Sequence, residues 1–234
     1  MHALISLSAA AAPALLLVVY FYRADKARRE PKRLVNKVFF LGILSTIPAI
    51  ILELLVSRFQ PLLSLHPILV HFFDAFIVAA LCEEGIKLFV VKRSAWRNPA
   101  FDEIADGIVY TVVASLGFAC MENILYVLQG GLSLALIRAF TAIPLHALAS
   151  GLMGYYLGRA KFAASPREQQ ALTGKGFLLA FLIHGYYDFV LFGIESFGYL
   201  PALTIVPLLI FGLLKLRSLM KSAIAADRDS GRVA

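Results

Sequence analysis

Long apolar stretches constrain what this chain can fold into more than any other feature of its sequence. Each is close to the roughly 17–25 residues that a helix needs to cross the hydrocarbon core of a bilayer. None alternates with a period of two, so a spanning β-barrel is excluded. Of the residues, 60% are hydrophobic and only 16% are charged, against roughly 25% charged in soluble domains. The sequence therefore predicts an all-α fold, a polytopic transmembrane helical bundle of about seven spans, at residues 4–22, 38–57, 68–91, 106–128, 132–157, 176–193 and 199–214.

The positions of the basic residues predict how this bundle is oriented. Lys and Arg cluster in alternate connections, which must all lie on one side, and cytoplasmic connections are enriched in both residues. We therefore expect the N-terminus outside, the first segment retained as an anchor, and a cytoplasmic C-terminus. The net charge of +7 is then a topology signal, with the lipid bilayer and not nucleic acid as its partner. The basic clusters are 23–37, 92–97, 159–175 and the residues after 214, and Arg58, Lys87 and Arg138 lie elsewhere.

The lengths of the connections indicate how the chain is organised into domains. The longest connection, 158–175, is too short to fold alone, so we expect a single membrane-embedded domain over 1–234. Any chemistry must then be built from side chains on the helices, and the predicted catalytic core is about 68–193. Cys82 and Cys120 lie in apolar stretches without a disulfide or metal-ligand spacing, which favours a packing role.

Several ionisable side chains interrupt the apolar stretches. Each costs roughly 2.5–3.5 kcal/mol on insertion at the centre of a bilayer, so a single one is usually a paired structural group. Several on neighbouring helices indicate a functional site instead. They are Glu53, Asp74, Glu83, Glu84, Lys87, Glu122, Arg138, His146, His184 and Asp188.

The third apolar segment contains the densest group of charges, which is Glu83, Glu84 and Lys87. Lys87 follows the glutamates by four and three residues, so on a helix it can reach either carboxylate. Two adjacent carboxylates in a medium of low dielectric repel each other, and Lys87 can hold one of them as an anion. The motif therefore offers one acid and one base, as hydrolysis of an amide requires. An internal ion pair that only braces the helices is the alternative.

Two further pairs of polar residues lie on later segments. Asn123, beside Glu122, has donors and an acceptor that could steady a carboxylate or an oxyanion. His184 and Asp188 are one helical turn apart, a spacing at which an aspartate can orient a histidine for a metal or a general base. Each pair alone could also be an ordinary hydrogen bond between helices.

The fifth segment combines a histidine with glycines that allow helix packing. His146 follows Pro144 by two residues, and this proline is expected to bend the helix near the histidine. Gly154 and Gly158 have the GxxxG spacing of closely packed helices. At about 1.5 Å per residue, the histidines and the paired glutamates fall at similar depths in the middle to inner half of the bilayer. Glu122 fits this depth least well.

In order along the chain, these motifs resemble those of the PrsW family of intramembrane proteases, distant relatives of the CAAX prenyl endopeptidases. The family's EExxK matches residues 83–87, its FxxxEN matches 118–123, its later histidine matches His146, and its HxxxD matches 184–188. The resemblance implies an endopeptidase that cuts membrane-anchored proteins, in bacteria an anti-sigma-factor-like protein. It implies dependence on glutamates or on a metal, and no HExxH motif is present to favour the metal.

Our working hypothesis is hydrolysis of a peptide bond by an activated water. Glu83, in preference to Glu84, is the expected general base, and Lys87 is expected to set the charge of the carboxylates. The protein would then be a multi-pass protein of the cell membrane, the cytoplasmic membrane if the source is bacterial.

The remaining polar groups are assigned supporting roles in this hypothesis. Glu122, His146 and His184 are the expected ligands if a divalent metal such as zinc is used, since three ligands and a water form an open catalytic geometry. Without a metal they would donate hydrogen bonds and protons. Asn123 is the expected oxyanion stabiliser, and Asp188 the residue that orients His184.

Two other functions use similar residues. A proton- or ion-coupled transporter also needs buried carboxylates and histidines, but its typical inverted repeats are not visible in the sequence. A membrane scaffold without catalysis would not need the paired glutamates.

Outside the proposed site, His71 and Asp74 are expected to hydrogen-bond to each other near the outer surface. Arg138 is expected to snorkel or to pair with a carboxylate.

Overall fold

The structure is a computed structural model that describes residues 2–24, 29–63 and 66–232. Within these ranges the chain forms helices, turns and no β-strand, which confirms the predicted all-α fold. Lys26 and Arg28, part of the first basic cluster, lie outside the described residues. The helices are α1 (His2–Ala24), α2 (Lys32–Ser57), α3 (Pro67–Phe72), α4 (Leu81–Ser94), α5 (Ile104–Phe140), α6 (Ala142–Lys161), α7 (Pro166–Phe192), α8 (Ile194–Phe197) and α9 (Ile205–Asp229), with a π-helical segment at Phe73–Ala80 and 3-10 turns at Gln60–Leu63 and Pro201–Thr204.

All seven predicted segments coincide with helical structure. The third consists of α3, the π-helical segment and α4, which follow one another directly. The fourth and fifth are separated by a kink at Gly131, where φ is 70° and ψ is −166°, so α5 consists of two helical parts. Glycine adopts this left-handed conformation without the clash of a Cβ. The second part and α6 together form the fifth segment. Among the residues that the structure describes, five stretches are long and apolar enough to cross a membrane, namely Leu7–Ala24, Lys32–Ser57, Ile104–Lys161, Pro166–Phe192 and Pro201–Asp229.

The first half of α5 forms the core of the bundle. Every residue from Ile104 to Cys120 is buried, and this part of the helix packs against α1, α2 and α6. Helix backbones touch where glycines face each other, since a Cβ on Gly107 would overlap the backbone of Gly154 and Gly158. The close approach predicted from the GxxxG spacing is thus confirmed, with α5 as the partner helix.

Much of the outer surface of the bundle is apolar, and several charged side chains are buried inside it. Large apolar side chains are exposed on α1, α2 and α9, with Leu16 at 70%, Phe40 at 61% and Phe211 at 70% exposure. Charged side chains lie inside, and Glu84 and Lys87 are both 0% exposed. This distribution suits a protein whose outer surface lies in lipid and whose interior holds the polar groups.

At the end of the bundle with the basic connections, buried acidic side chains form hydrogen bonds between helices. Asp227, near the end of α9, accepts hydrogen bonds from the first two backbone amides of α5, with Ile104 N at 2.9 Å. Arg232 Nε donates to the same carboxylate at 2.7 Å. Glu30, ahead of α2, accepts a hydrogen bond from the hydroxyl of Tyr110. The beginnings of α2 and α5 and the end of α9 therefore meet, and which side of the membrane they face stays a prediction.

Candidate active site

The first turn of α4 carries the paired glutamates into the bundle. Lys87 Nζ lies 2.9 Å from Glu83 Oε2 and 2.8 Å from Glu84 Oε1, which confirms the predicted contacts along one helix face. The same ammonium lies 4.5 Å from the centre of the Phe118 ring on α5. One cation is thus shared by two buried carboxylates, with Glu83 at 6% and Glu84 at 0% exposure.

The π-helical segment ahead of α4 packs closely on α7. The ring of Phe76 lies directly over Gly185, where an added Cβ would overlap it. Gly185 follows His184, so this contact brings the start of α4 close to that histidine. π-helical turns occur often at functional sites, and here the segment ends just before the paired glutamates.

His184 on α7 contacts three carboxylates. Its Nδ1 lies 2.9 Å from Glu84 Oε1, and its Nε2 lies 3.2 Å from Asp188 Oδ2. Its Nε2 is also 3.9 Å from Glu83 Oε2. The predicted contact between His184 and Asp188 is therefore present. Glu83 lies near the same ring nitrogen as Asp188, and Glu84 lies at the other nitrogen.

Ser150 is a site residue that reasoning from the sequence missed. Its Oγ donates a hydrogen bond of 2.9 Å to Glu84 Oε2. The available signal was its spacing, because Ser150 follows His146 by one helical turn on the same face of α6. Glu84 thus accepts from Ser150, Lys87 and His184, which engages both of its oxygens.

His146 on α6 connects Lys87 to Glu122. Its Nδ1 lies 2.9 Å from Lys87 Nζ and its Nε2 lies 2.8 Å from Glu122 Oε2. An ammonium only donates and a carboxylate only accepts, so these contacts suit a neutral imidazole with its proton on Nε2. The centre of its ring is 5.1 Å from that of His184. Glu122, the poorest fit to the predicted depth, therefore does join the site.

The expected bend at Pro144 is wrong. The chain turns earlier, at Thr141, where φ is −121° and ψ is −70°, and α6 begins at Ala142. Pro144 then lies in the first turn of α6, where its missing N–H has no helical partner to lose. The turn, and not a kink in α6, aims His146 into the bundle.

Glu122 is held by an arginine from the second part of α5. Arg138 Nη2 lies 3.0 Å from Glu122 Oε1, which confirms that Arg138 pairs with a carboxylate. Arg138 Nε donates to Asn123 Oδ1 at 3.1 Å, and Asn123 Nδ2 donates to the carbonyl of Ala10 at 2.9 Å. These contacts do not support the oxyanion role expected for Asn123. Its amide nitrogen donates to α1, and its amide oxygen accepts from Arg138.

Three of these side chains could hold a metal ion. Glu83, His146 and His184 each offer one ligand atom within 4.8 Å of the others, and all three are buried. Two imidazole nitrogens and one carboxylate oxygen are a donor set that zinc enzymes use, so the residues fit such an ion. Glu122, the third ligand expected from the sequence, is not one of these three residues, and it contacts His146 and Arg138 instead.

A cavity of about 840 Å³ leads to the site. Glu83, Glu122 and Asp188 line it, whereas Glu84, Lys87 and both histidines lie behind them. The lining also contains Arg138, and it continues toward the end of the bundle opposite the basic connections, with Glu53, Asp74, Gln129 and Phe192. Glu83 is therefore the member of the glutamate pair that a molecule in the cavity can reach.

The pair expected between His71 and Asp74 is wrong. Asp74 Oδ2 accepts a hydrogen bond of 2.7 Å from Gln60 Nε2, and His71 Nε2 lies 2.8 Å from Ser196 Oγ. On a helix, side chains three residues apart can meet, but here each finds a partner on another segment.

Comparisons with known proteins show which family this chain is similar to. Residues 30–213 match the family described as PrsW family intramembrane metalloprotease, and all the site residues above lie within this range. "Protease PrsW" of Geobacillus kaustophilus is 39% identical over 202 residues, which is 86% of each chain. The proteins of that name from Oceanobacillus iheyensis and Bacillus subtilis are 38% and 35% identical, over 93% and 89% of this chain and 97% and 93% of theirs. No solved structure matches the chain.

Proposed function

Since this chain belongs to the PrsW family of intramembrane metalloproteases, we propose that it cleaves membrane-anchored proteins in the cavity lined by Glu83, Glu122 and Asp188. Family membership makes the chain an intramembrane protease and a multi-pass membrane protein, and it does not support the transporter alternative. One observation carries the proposal for the site. A carboxylate that faces the cavity, Glu83, lies beside two buried histidines with which it could hold an ion.

Glu83 is the proposed general base. Among the described residues its contacts are with Lys87 and His184 through Oε2, so Oε1 remains available to a water in the cavity. Both oxygens of Glu84 already accept hydrogen bonds from protein side chains. In the proposed reaction the water oxygen bonds to the peptide carbonyl carbon while its proton passes to Glu83. The C–N bond then breaks, and Glu83 returns the proton to the leaving amine.

One oxygen of Glu83, together with His146 and His184, would hold a divalent ion, which we propose is zinc, and the other oxygen of Glu83 would remain for the water. When bound, such an ion lowers the pKa of its water and polarises a carbonyl. Asp188 and Glu122 each contact one of the histidines, and carboxylates in this position fix the orientation of ligating imidazoles. Lys87 Nζ lies 2.9 Å from both Glu83 Oε2 and His146 Nδ1, so these two contacts would have to open for the same atoms to act as ligands.

Arg138 is proposed as the group that stabilises the oxyanion, in place of Asn123. Its guanidinium lines the cavity together with Glu83. It is held in place by Glu122 and Asn123 and stacks at 3.9 Å on the ring of Tyr126. A charged donor fixed before substrate arrives stabilises developing negative charge without a cost of reorganisation.

The proposed substrate is a membrane-anchored protein, anti-sigma-factor-like if the source is bacterial, and the proposed location is the cytoplasmic membrane. The cavity supports this class because its walls combine apolar side chains, such as Leu125 and Leu191, with polar ones. An extended segment next to a membrane anchor has both kinds of group.

One domain over 1–234 with a catalytic core at about 68–193 remains our proposal for the organisation of the chain.

Metal content and cleavage, measured together, test this function. We expect near-stoichiometric zinc in the detergent-purified protein. Glu83→Gln should lose cleavage of a membrane-tethered peptide and bind zinc less tightly, because Glu83 is both the proposed base and a proposed ligand. His184→Ala should lose both zinc and cleavage. His71→Ala is the matched control, because His71 contacts Ser196 outside the site, and it should retain both. Full activity in Glu83→Gln, or chelator-resistant activity without bound metal, would refute the proposed roles.

A further inference from the structure

A second cavity lies on a different face of the bundle, between α1 and α9. Its volume is about 860 Å³, within the roughly 300–1,000 Å³ of typical ligand pockets. It shares no lining residue with the catalytic cavity. Most of its wall is apolar and consists of Leu16, Leu17, Val19, Tyr20, Phe21, Ile210, Leu213, Leu214, Met220 and Ile224. We name this cavity the α1–α9 groove.

Three cations line the α1–α9 groove on the side toward the basic connections, where Met220 and Ile224 also contribute apolar wall. Arg23 is in the last turn of α1, and Arg217 and Lys221 are one turn apart on α9. Side chains at this spacing share a helix face. Within the described ranges, none of the three contacts a carboxylate, and all are exposed. With respect to the described carboxylates, the α1–α9 groove thus presents unpaired positive charge beside its apolar wall.

The order of these residues along the helices matches the shape of a lipid. On α1 the apolar residues Leu16 to Tyr20 precede Arg23, and on α9 Ile210 to Leu214 precede Arg217. Both helices therefore lead from apolar wall to cation in the same direction, toward the end of the bundle with the basic connections. A phospholipid whose acyl chain lay along the apolar part of the groove would have its phosphate at the depth of the cations.

We propose that the α1–α9 groove binds one anionic phospholipid from the leaflet on the basic side of the membrane. Complementary charge argues for this occupant over a zwitterionic lipid, because basic pockets between membrane helices select anionic headgroups. The apolar channel argues for a lipid over a free anion. The binding site is independent of the proposed proteolytic mechanism, so neither proposal depends on the other.

Lipid retention measured by native mass spectrometry tests the proposal. Phosphatidylglycerol and phosphatidylcholine with the same acyl chains are each added to the purified full chain. We expect selective retention of phosphatidylglycerol, and about 100-fold weaker retention in the variant with Arg23→Gln, Arg217→Gln and Lys221→Gln, at roughly fivefold per cation. The matched control changes Lys32, Arg33 and Lys37 of α2, which are also exposed near the basic end, to Gln and should retain the lipid.

A second variant separates a lipid from a free anion. Leu214→Trp fills the apolar channel but keeps the three cations, so it should lose phosphatidylglycerol and leave the thermal unfolding temperature nearly unchanged. Equal retention of the two lipids by the unmodified chain would overturn the proposal. So would normal lipid retention in Leu214→Trp, or displacement of the lipid by millimolar inorganic phosphate.

Discussion

Lys87 is the residue on which the buried charges of the site depend. Its ammonium contacts two carboxylates and one imidazole and is 0% exposed. Removing one partner of a buried ion pair leaves the other charge uncompensated, at a typical cost of about 3–5 kcal/mol. The sequence predicted the contacts with Glu83 and Glu84 from helical spacing alone. The contact with His146 joins residues 59 apart, so only the packing of α4 on α6 could reveal it.

Asn123 and Arg138 are neighbours with separable roles. Asn123→Ala removes two hydrogen bonds of a fully buried amide, and we expect it to lower the free energy of unfolding by about 1–3 kcal/mol. Arg138→Gln removes the cation that lines the cavity, and we expect kcat for peptide cleavage to fall about 10²–10³-fold. Steady-state cleavage and thermal unfolding of both variants provide the measurement. The proposal fails if Asn123→Ala leaves stability unchanged yet lowers kcat more than Arg138→Gln.

At the scale of helices, the close crossing of α5 and α6 determines where His146 lies. Small residues allow the backbones to touch at Gly107 and Gly154, and α6 begins at the turn after Thr141. Together these features direct His146 toward Lys87 on α4. Ser115 Oγ also donates to the carbonyl of His146 at 3.0 Å, a further bond between the two helices.

Gly154→Ala should destabilise the bundle, because a Cβ there would overlap the backbone of Gly107. Overpacking of this kind typically costs about 1–3 kcal/mol. Gly174→Ala is the matched control on α7, where an added Cβ meets nothing within 4 Å, and alanine is about 0.5–1 kcal/mol more favourable than glycine in a helix. Thermal unfolding in detergent should show a lower midpoint for the first variant only. Equal midpoints would mean that the helices can separate slightly at this crossing.

Asp227→Ala should loosen the start of α5. The Asp227 carboxylate caps the first two backbone amides of that helix from α9, and loss of a capping side chain costs about 0.5–2 kcal/mol. Asp229→Ala serves as the control, because Asp229 is exposed at the end of the same helix. Amide hydrogen exchange at Ile104 and Ala105 should accelerate in the first variant alone. Unchanged exchange there would show that α5 does not need the cap.

At the scale of the whole molecule, the two ends of the bundle differ in the residues that they carry. The basic connections and the capping acids gather at one end, whereas the lining of the catalytic cavity continues toward the other. The predicted orientation therefore makes the cavity accessible from outside the cell. Cys82 and Cys120 are both buried, so a thiol reagent should react with an exposed cysteine that is introduced by mutation and not with these two.

Labelling of introduced cysteines tests this orientation. Tyr199 is 78% exposed ahead of α9, so Tyr199→Cys should react with a membrane-impermeant maleimide in intact cells. Ser165→Cys, in the connection before α7, should react only after the membrane is permeabilised. The unmodified chain is the control and should remain unlabelled. The reverse pattern for the two variants would invert the predicted topology.

Local periodicity was enough to predict much of this protein from sequence. Apolar segments long enough to span a bilayer predicted the helices, and spacings of three and four residues predicted the contacts of Lys87 with the glutamates and of His184 with Asp188. The motifs, in order along the chain, predicted the protease family. All of these are properties of a single helix or of residue order, which do not depend on how helices pack.

Only the tertiary structure decided which polar groups meet across helices. It assigned Glu83 in place of Glu122 to the group of possible metal ligands, added Ser150, and directed the amide of Asn123 toward Ala10. The physical reason is that helical periodicity specifies the face on which a side chain lies but not the rotation or depth of one helix against another. Those depend on side-chain volumes at each crossing, such as the contact of Gly107 with Gly154.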